Sequence, residues 1–399
     1  MWVGGRRGTD TDLRVLYALM GVAISTFIPF YALLLRARGL SADRIGIVLA
    51  VTSLAGVAAT PFWSHAADTR LGSVHTLQIA CAAACVAGLA LATTGSSLIA
   101  IAPVAAVLGA AQGPQSALTD ALTLHELGGP RHIQYGRFRL WLSIGWGIAA
   151  IAFGELFTRA GIAQMPAVYV AGLALFAIFV SRFPSPRPPT SSIVGSRLGS
   201  FGDALRNVPR LPAFVAGVLI FSTSMQAAWQ FVPLRIVGRG GDAFLVGMAV
   251  GVSAFVEIPF MHSSAAFVER FGLRRVFLAG AVIYAAASTA WAVLPDPLAV
   301  TLVRIGLGAG FGLVYVTLVL MTARLVPERL RNTGQALLSI CSFGLAPVIG
   351  GAVGGIVYQH VGPPRLFAGS AIGIAIGTVV VHLAAVRVDD RDLAAALPP

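Results

Sequence analysis

The chain of 399 residues contains no lysine: all 28 basic residues are arginine, set against 16 acidic ones. Charge is scarce altogether, at 11% of residues, where a soluble protein carries about a quarter. With 57% apolar residues and a mean hydropathy of +0.82, too little charge remains to solvate a globular surface, which excludes a soluble protein and leaves an integral membrane one. The net charge of +12 does not mark a nucleic-acid binder, because the arginines are spread thinly between apolar runs. Cysteine is also rare: Cys81, Cys85 and Cys341 lie inside apolar runs without His or Cys at ligand spacing. Neither a disulfide framework nor a metal site is expected from them, only packing. There is no nucleophile elbow, phosphate-binding loop or nucleotide-binding domain, so an enzyme, a transport-dead sensor and an ATP-driven pump are all disfavoured.

What the chain has in abundance is apolar length. A helix needs roughly 20 apolar residues to cross a bilayer. Charged and Pro/Gly-rich punctuation divides the chain into twelve such runs: 13–35, 43–65, 74–94, 97–124, 137–158, 161–181, 211–235, 243–266, 275–294, 298–323, 332–358 and 364–386. The first is too long for a signal-peptide core and ends at Arg36, so it reads as a retained span. Only one connection is long, and its Pro184, Pro186, Pro188 and Pro189 followed by Ser191, Ser192, Gly195 and Gly199 have the composition of a linker. The expected organisation is an N-terminal six-helix bundle at 1–181, a cytoplasmic linker at 182–210 and a C-terminal six-helix bundle at 211–399.

The halves share landmarks in the same order. Ile28-Pro29-Phe30 answers Val232-Pro233-Leu234, Pro61-Phe62 answers Pro259-Phe260, and Leu142-Ser143-Ile144 answers Leu338-Ser339-Ile340, at offsets of 204, 198 and 196. Near-constant offsets point to a duplication, and six spans per half give both repeats the same orientation. Placing both termini in the cytoplasm puts 20 arginines inside, seven outside and Arg304 within a span. The positive-inside rule therefore favours that orientation, in an inner or plasma membrane.

A charge at mid-bilayer costs about 2.5–3.5 kcal/mol, so each one retained in a span needs a partner or an aqueous cavity. On span four, Gln112, Ser116, Thr119 and Thr123 recur on one helical face, with Gln115 and Asp120 on its flank. That stripe either lines a cavity or makes interhelical hydrogen bonds. Arg139, Ser143 and Trp146 follow the same spacing on span five. Here the guanidinium fork can pair with Asp120 or with a ligand, the indole can face a ring, or Arg139 can be an interfacial anchor. Span eight carries Ser253, Glu257 and Ser264, with His262 beside them, and Arg304 on span ten is the natural partner of Glu257. That pair either loads and releases a proton or holds two spans together. His262 either titrates or packs. Span seven adds Ser222, Gln226 and Gln230 with Trp229, and span eleven adds Gln335, Ser339 and Ser342. Such uncharged amides and hydroxyls suit a polar or mixed polar-aromatic solute.

The loop after span eight reads Glu269-Arg270-Phe271-Gly272-Leu273-Arg274-Arg275; the copy after span two, Asp68-Thr69-Arg70-Leu71-Gly72, has an extra residue and lacks the arginine pair. With twelve spans in two parallel halves, these loops make the chain resemble the major facilitator superfamily. The resemblance implies an all-α membrane protein of twelve transmembrane helices in two six-helix repeats, with the loop charges pairing across helix ends as gates. Gly39-Leu40-Ser41, and Tyr135-Gly136-Arg137-Phe138-Arg139-Leu140-Trp141 leading to Gly145-Trp146, are similar to the branch holding lactose permease and the phenylpropionate-type transporters. That likeness implies substrate contacts at Asp120, Arg139 and Trp146, and a coupling carboxylate at Glu257. Span ten departs from it, with Gly308-Ala309-Gly310 where lactose permease keeps a His and a Glu, and Arg304 one turn earlier.

The expected protein is a monomeric proton-coupled symporter of a small polar solute, such as a sugar, nucleoside or aromatic acid, working by alternating access in the bilayer. Gln112, Ser116, Gln226 and Gln230 join the substrate residues, and Glu257, Arg304 and His262 form the coupling set. Its energy source is the proton gradient, without an organic cofactor. The competing reading is drug or metabolite efflux by proton antiport on the same fold.

Overall fold

The structure, a computed structural model, describes residues 8–131, 134–184, 202 and 204–385. Most of the linker, including Pro186, Pro188, Pro189, Ser191, Ser192, Gly195 and Gly199, lies outside the described residues. So do Arg6, Arg7, Arg187, Arg197, Arg387 and Arg391 of the orientation count.

Among the described residues all regular structure is helical, as a bilayer demands of segments that must satisfy their own backbone. Ten stretches are long and apolar enough to cross a membrane. The difference from twelve runs arises at two places. Spans two and three form the single stretch Ala42–Thr93, because a π-helical segment, Ala67–Leu71, joins α3 (Ala42–Ala66) directly to α4 (Gly72–Thr93). The first run is not one helix. It is α1 (Asp10–Ser25) and α2 (Tyr31–Ala37), parted by a turn over 26–30. Pro29 offers no N–H there, and the Ser25 and Thr26 hydroxyls donate to the Val22 and Ala23 carbonyls at 3.0 and 2.7 Å, competing with the backbone ladder.

Span four is divided as well, into α5 (Leu98–Gln112) and α6 (Gln115–Arg131), at Gly113-Pro114. Then follow α7 (Tyr135–Ala160), α8 (Met165–Val180), α9 (Leu211–Gly238), α10 (Ala243–Phe271), α11 (Leu273–Val293) and α12 (Pro297–Leu325). Span eleven is α13 (Arg331–Ser339) and α14 (Ala346–His360) around a π-helical segment, Ile340–Leu345, and α15 (Pro363–Ala384) is span twelve. Helix starts carry local signals. Thr9 and Asp12 form a capping box on α1, and Asp296 accepts from the Ala299 N–H at 2.7 Å to cap α12. Hydrogen bonds from the Thr9 hydroxyl and then its backbone N–H hold the Asp12 carboxyl below its ordinary value.

The chain divides into two compact units, Met1–Ile193 with Ile236–Phe255, and Val194–Arg235 with Val256–Pro399. In the first, α1 packs on α7 and α8, and α4 on α5 and α8; in the second, α11 packs on α12 and α15. Glycines set the closest crossings. A Cβ on Gly21 would lie 2.2 Å from the Leu142 carbonyl, and one on Gly145 would lie 2.3 Å from the Ala18 carbonyl, so α1 and α7 touch backbone to backbone. In the second unit Gly350 meets Ala227 and Thr223, and Gly377 meets Phe221 and Gly217.

Candidate functional site

Each unit holds a charged cluster within its helices. In the first, Arg139 near the start of α7 donates from Nη1 to both oxygens of Asp120 on α6, each at 2.9 Å. The same nitrogen donates to the Tyr135 hydroxyl at 3.2 Å. Tyr17 on α1 donates its hydroxyl to Asp120 Oδ1 at 2.8 Å, and its ring meets Tyr135 edge-on with centroids 6.4 Å apart. Tyr17 is wholly buried, whereas the side chains of Arg139 and Asp120 are 44% and 26% exposed. The ion pair is therefore closed but reachable. A guanidinium so placed can exchange its carboxylate for a ligand acceptor, and the carboxylate can take a ligand hydroxyl in return. Trp146 lies two turns along α7, half-buried, where its backbone packs against Gly21.

The polar stripe on span four is spread over several partners. Thr119 and Thr123 are wholly buried and donate to the Gln115 and Thr119 carbonyls at 2.8 and 2.9 Å. Gln112 donates to the Tyr169 hydroxyl at 2.8 Å, and the Pro114 break separates it from the rest. Those three residues thus make contacts inside the helix bundle, while Ser116 is half-buried.

In the second unit Arg304 on α12 is 8% exposed, and its Cζ stands 5.6 Å from the centre of the Trp229 ring on α9. Tyr284 on α11 and Glu257 on α10 are its electrostatic neighbours. Glu257 is half-buried, and His262, five residues on, is exposed. Gln230 donates to the Pro347 carbonyl at 3.0 Å, and Gln226 packs against Gly350. Ser222 donates to Ser342 across 3.3 Å, and Gln335 to the Val319 carbonyl at 2.8 Å.

The two glycine loops differ as their sequences do. Gly72 and Gly272 share a left-handed turn, with φ of 74° and 84°. The extra residue between Asp68 and Gly72 is absorbed by the π-helical segment, since one inserted residue in an α-helix widens a turn to i→i+5. In that loop Asp68 and Arg70 are exposed. In the other, Glu269 and Arg275 are exposed, Arg270 lies over the Phe271 ring at 5.3 Å, and Arg274 reaches the His382 ring on α15 at 2.5 Å.

Sequence reasoning missed Tyr17 and Arg235. Arg235, near the end of α9, is buried and donates to the Trp291, Ala292 and Leu294 carbonyls at the end of α11. Glu126 accepts from the Gly8 N–H at 2.9 Å, and Glu155 pairs with Arg159.

Among the described residues, ten helical stretches of membrane-spanning length with charged clusters inside them make this a multi-pass membrane protein. The chain belongs to the MFS_1 like family, whose model matches residues 11–368. It is 29% identical over 389 residues to a maltose permease of Geobacillus stearothermophilus, covering 96% of each chain. A putative nucleoside transporter of Escherichia coli (strain K12), YegT, is 24% identical over 412 residues, covering 92% of this chain and 93% of the relative. The crystal structure of the nucleoside transporter NupG superposes with a TM-score of 0.83 at 16% identity, covering 95% of this chain and 99% of that one. The fold is thus the major facilitator fold, and the protein is a solute transporter of that kind.

Proposed function

We propose that the protein is a proton-coupled symporter that takes up a small polar solute, a sugar or a nucleoside ahead of an aromatic acid, by alternating access. The observation that carries this reading is the Asp120–Arg139 pair, closed on itself, partly exposed and set between tyrosines. Asp120, Arg139 and Trp146 contact the substrate, with Gln112, Ser116, Gln226 and Gln230 as further polar contacts. Glu257, Arg304 and His262 form the coupling set, in which Glu257 carries the proton and Arg304 competes with it for the carboxylate charge. The glycine loops, with Asp68, Arg70 and Gly72 in one and Glu269, Arg270, Gly272, Arg274 and Arg275 in the other, gate the cytoplasmic ends. The protein works as a monomer in the inner membrane with both termini in the cytoplasm, driven by the proton gradient alone. Support comes from a maltose permease and a putative nucleoside transporter among its relatives.

The test is uptake of labelled maltose and of labelled uridine into cells expressing the protein, with and without a protonophore. Accumulation of one of them that the protonophore collapses is the expected result. Accumulation unaffected by the protonophore, or uptake of neither solute, contradicts the reading.

A further inference from the structure

The strongest feature left unused lies beside the Asp120–Arg139 pair. Tyr17 is a wholly buried tyrosine whose hydroxyl donates to the carboxylate oxygen that Arg139 also holds. Its position is rigidly set. One turn further along α1, Gly21 lies backbone to backbone on Leu142 and Trp146 of α7, and the break in span one comes only after Ser25. Tyr17 therefore stands on the firmly packed part of α1.

All of Arg139's bonds in the cluster leave from Nη1, so the fork's other nitrogens are not committed to Asp120. When the guanidinium turns to a ligand, the carboxylate loses the donor that held both of its oxygens. A donor that stays in place keeps the carboxylate aimed. Tyr17 is such a donor, because its hydroxyl belongs to a helix that carries neither member of the pair. Tyr135 complements it, with a hydroxyl that accepts from Arg139 and a ring that braces Tyr17 edge-on.

We propose that Tyr17 is a positioning residue of the transport site, holding Asp120 in place while Arg139 exchanges that carboxylate for the substrate. This rests on the assignment of Asp120 and Arg139 to the substrate.

The test uses the full chain in proteoliposomes, with counterflow of labelled maltose and of labelled uridine for the wild type, Tyr17→Phe, Asp120→Asn and the double variant. Counterflow needs no proton gradient, so coupling does not enter. Tyr17→Phe is expected to raise KM about ten-fold, the worth of a hydrogen bond to a charged group, with the maximal rate within two-fold. In the Asp120→Asn background the same change should cost clearly less, because the remaining amide oxygen is an uncharged, weaker acceptor. An unchanged KM, or an equal loss in both backgrounds, overturns the proposal, the second outcome marking a purely structural tyrosine. If Asp120→Asn itself behaves as wild type, or the wild type exchanges neither solute, the underlying assignment fails and this inference falls with it. Should Tyr17→Phe not reach the membrane, Tyr17→Leu is read in the same way.

Discussion

The two charged clusters differ in how they are held. In the first unit the opposite charges meet directly, Arg139 on Asp120 at 2.9 Å, with both side chains partly exposed and two tyrosine hydroxyls around them. In the second the arginine is buried, its guanidinium stacked 5.6 Å from an indole, and the half-buried Glu257 acts on it electrostatically. A reachable pair with hydroxyl partners is arranged to trade contacts with a polar ligand. In the reading proposed above, the solute belongs to the first cluster and the proton to the second.

The backbone beneath the clusters differs in parallel. The offset of 196 that relates the span-five and span-eleven motifs carries Gly145 to Cys341. Gly145 lets α7 run straight against α1, whereas Cys341 sits in a π-helical segment next to the Ser222–Ser342 bond. Span eleven meets span seven further along instead, where Gly350 lies backbone to backbone on Thr223 and Ala227. Gly145→Val should therefore destabilise the fold by about 3 kcal/mol through overpacking, against under about 1.5 kcal/mol for Cys341→Val, compared by thermal unfolding in detergent. Equal losses would break this part of the comparison.

Removing the carboxylate of the first cluster leaves Arg139 without its ion-pair partner. Asp120→Leu should lower initial uptake on the order of 100-fold, with surface expression checked by immunoblot. A smaller effect is expected in the second cluster. Trp229→Leu removes the ring under Arg304 and should weaken accumulation about five-fold, the worth of about 1 kcal/mol, without altering counterflow. If it changes counterflow KM instead, the division between the clusters is lost. The smallest effect lies outside both and sets the baseline. Asp12→Asn should cost about 0.5 kcal/mol at neutral pH through the α1 cap. Because the folded carboxyl titrates below its unfolded value, that contribution is present above about pH 4 and lost as pH falls through the folded value, which melts at pH 7 and pH 3 would compare.

The apolar runs were legible because a bilayer imposes length and composition on every span. The one-residue difference between Asp68–Gly72 and Glu269–Gly272 was also readable, and its structural form is a π-helical turn. The break in span one was not, since it depends on Ser25 and Thr26 turning their hydroxyls onto their own helix beside Pro29. The stripe from Gln112 to Thr123 left two readings open, because periodicity does not say whether a hydroxyl faces a cavity or bonds back to its helix, as those of Thr119 and Thr123 do. The bonds of Arg235 were not readable either, because its acceptors, the Trp291, Ala292 and Leu294 carbonyls, are far along the chain. Tyr17 read as one more apolar-run aromatic. The available signal was Gly21 one turn later, a small residue that lets α1 pack backbone to backbone on α7, the helix of Arg139.

The division between solute and proton is tested most directly by external pH in lightly buffered, energy-depleted cells expressing the wild type or Glu257→Gln, as maltose and then uridine are added. The account predicts that one solute makes the medium alkaline with the wild type and not with Glu257→Gln, while the variant still exchanges labelled solute. An equal alkaline shift from Glu257→Gln would contradict it.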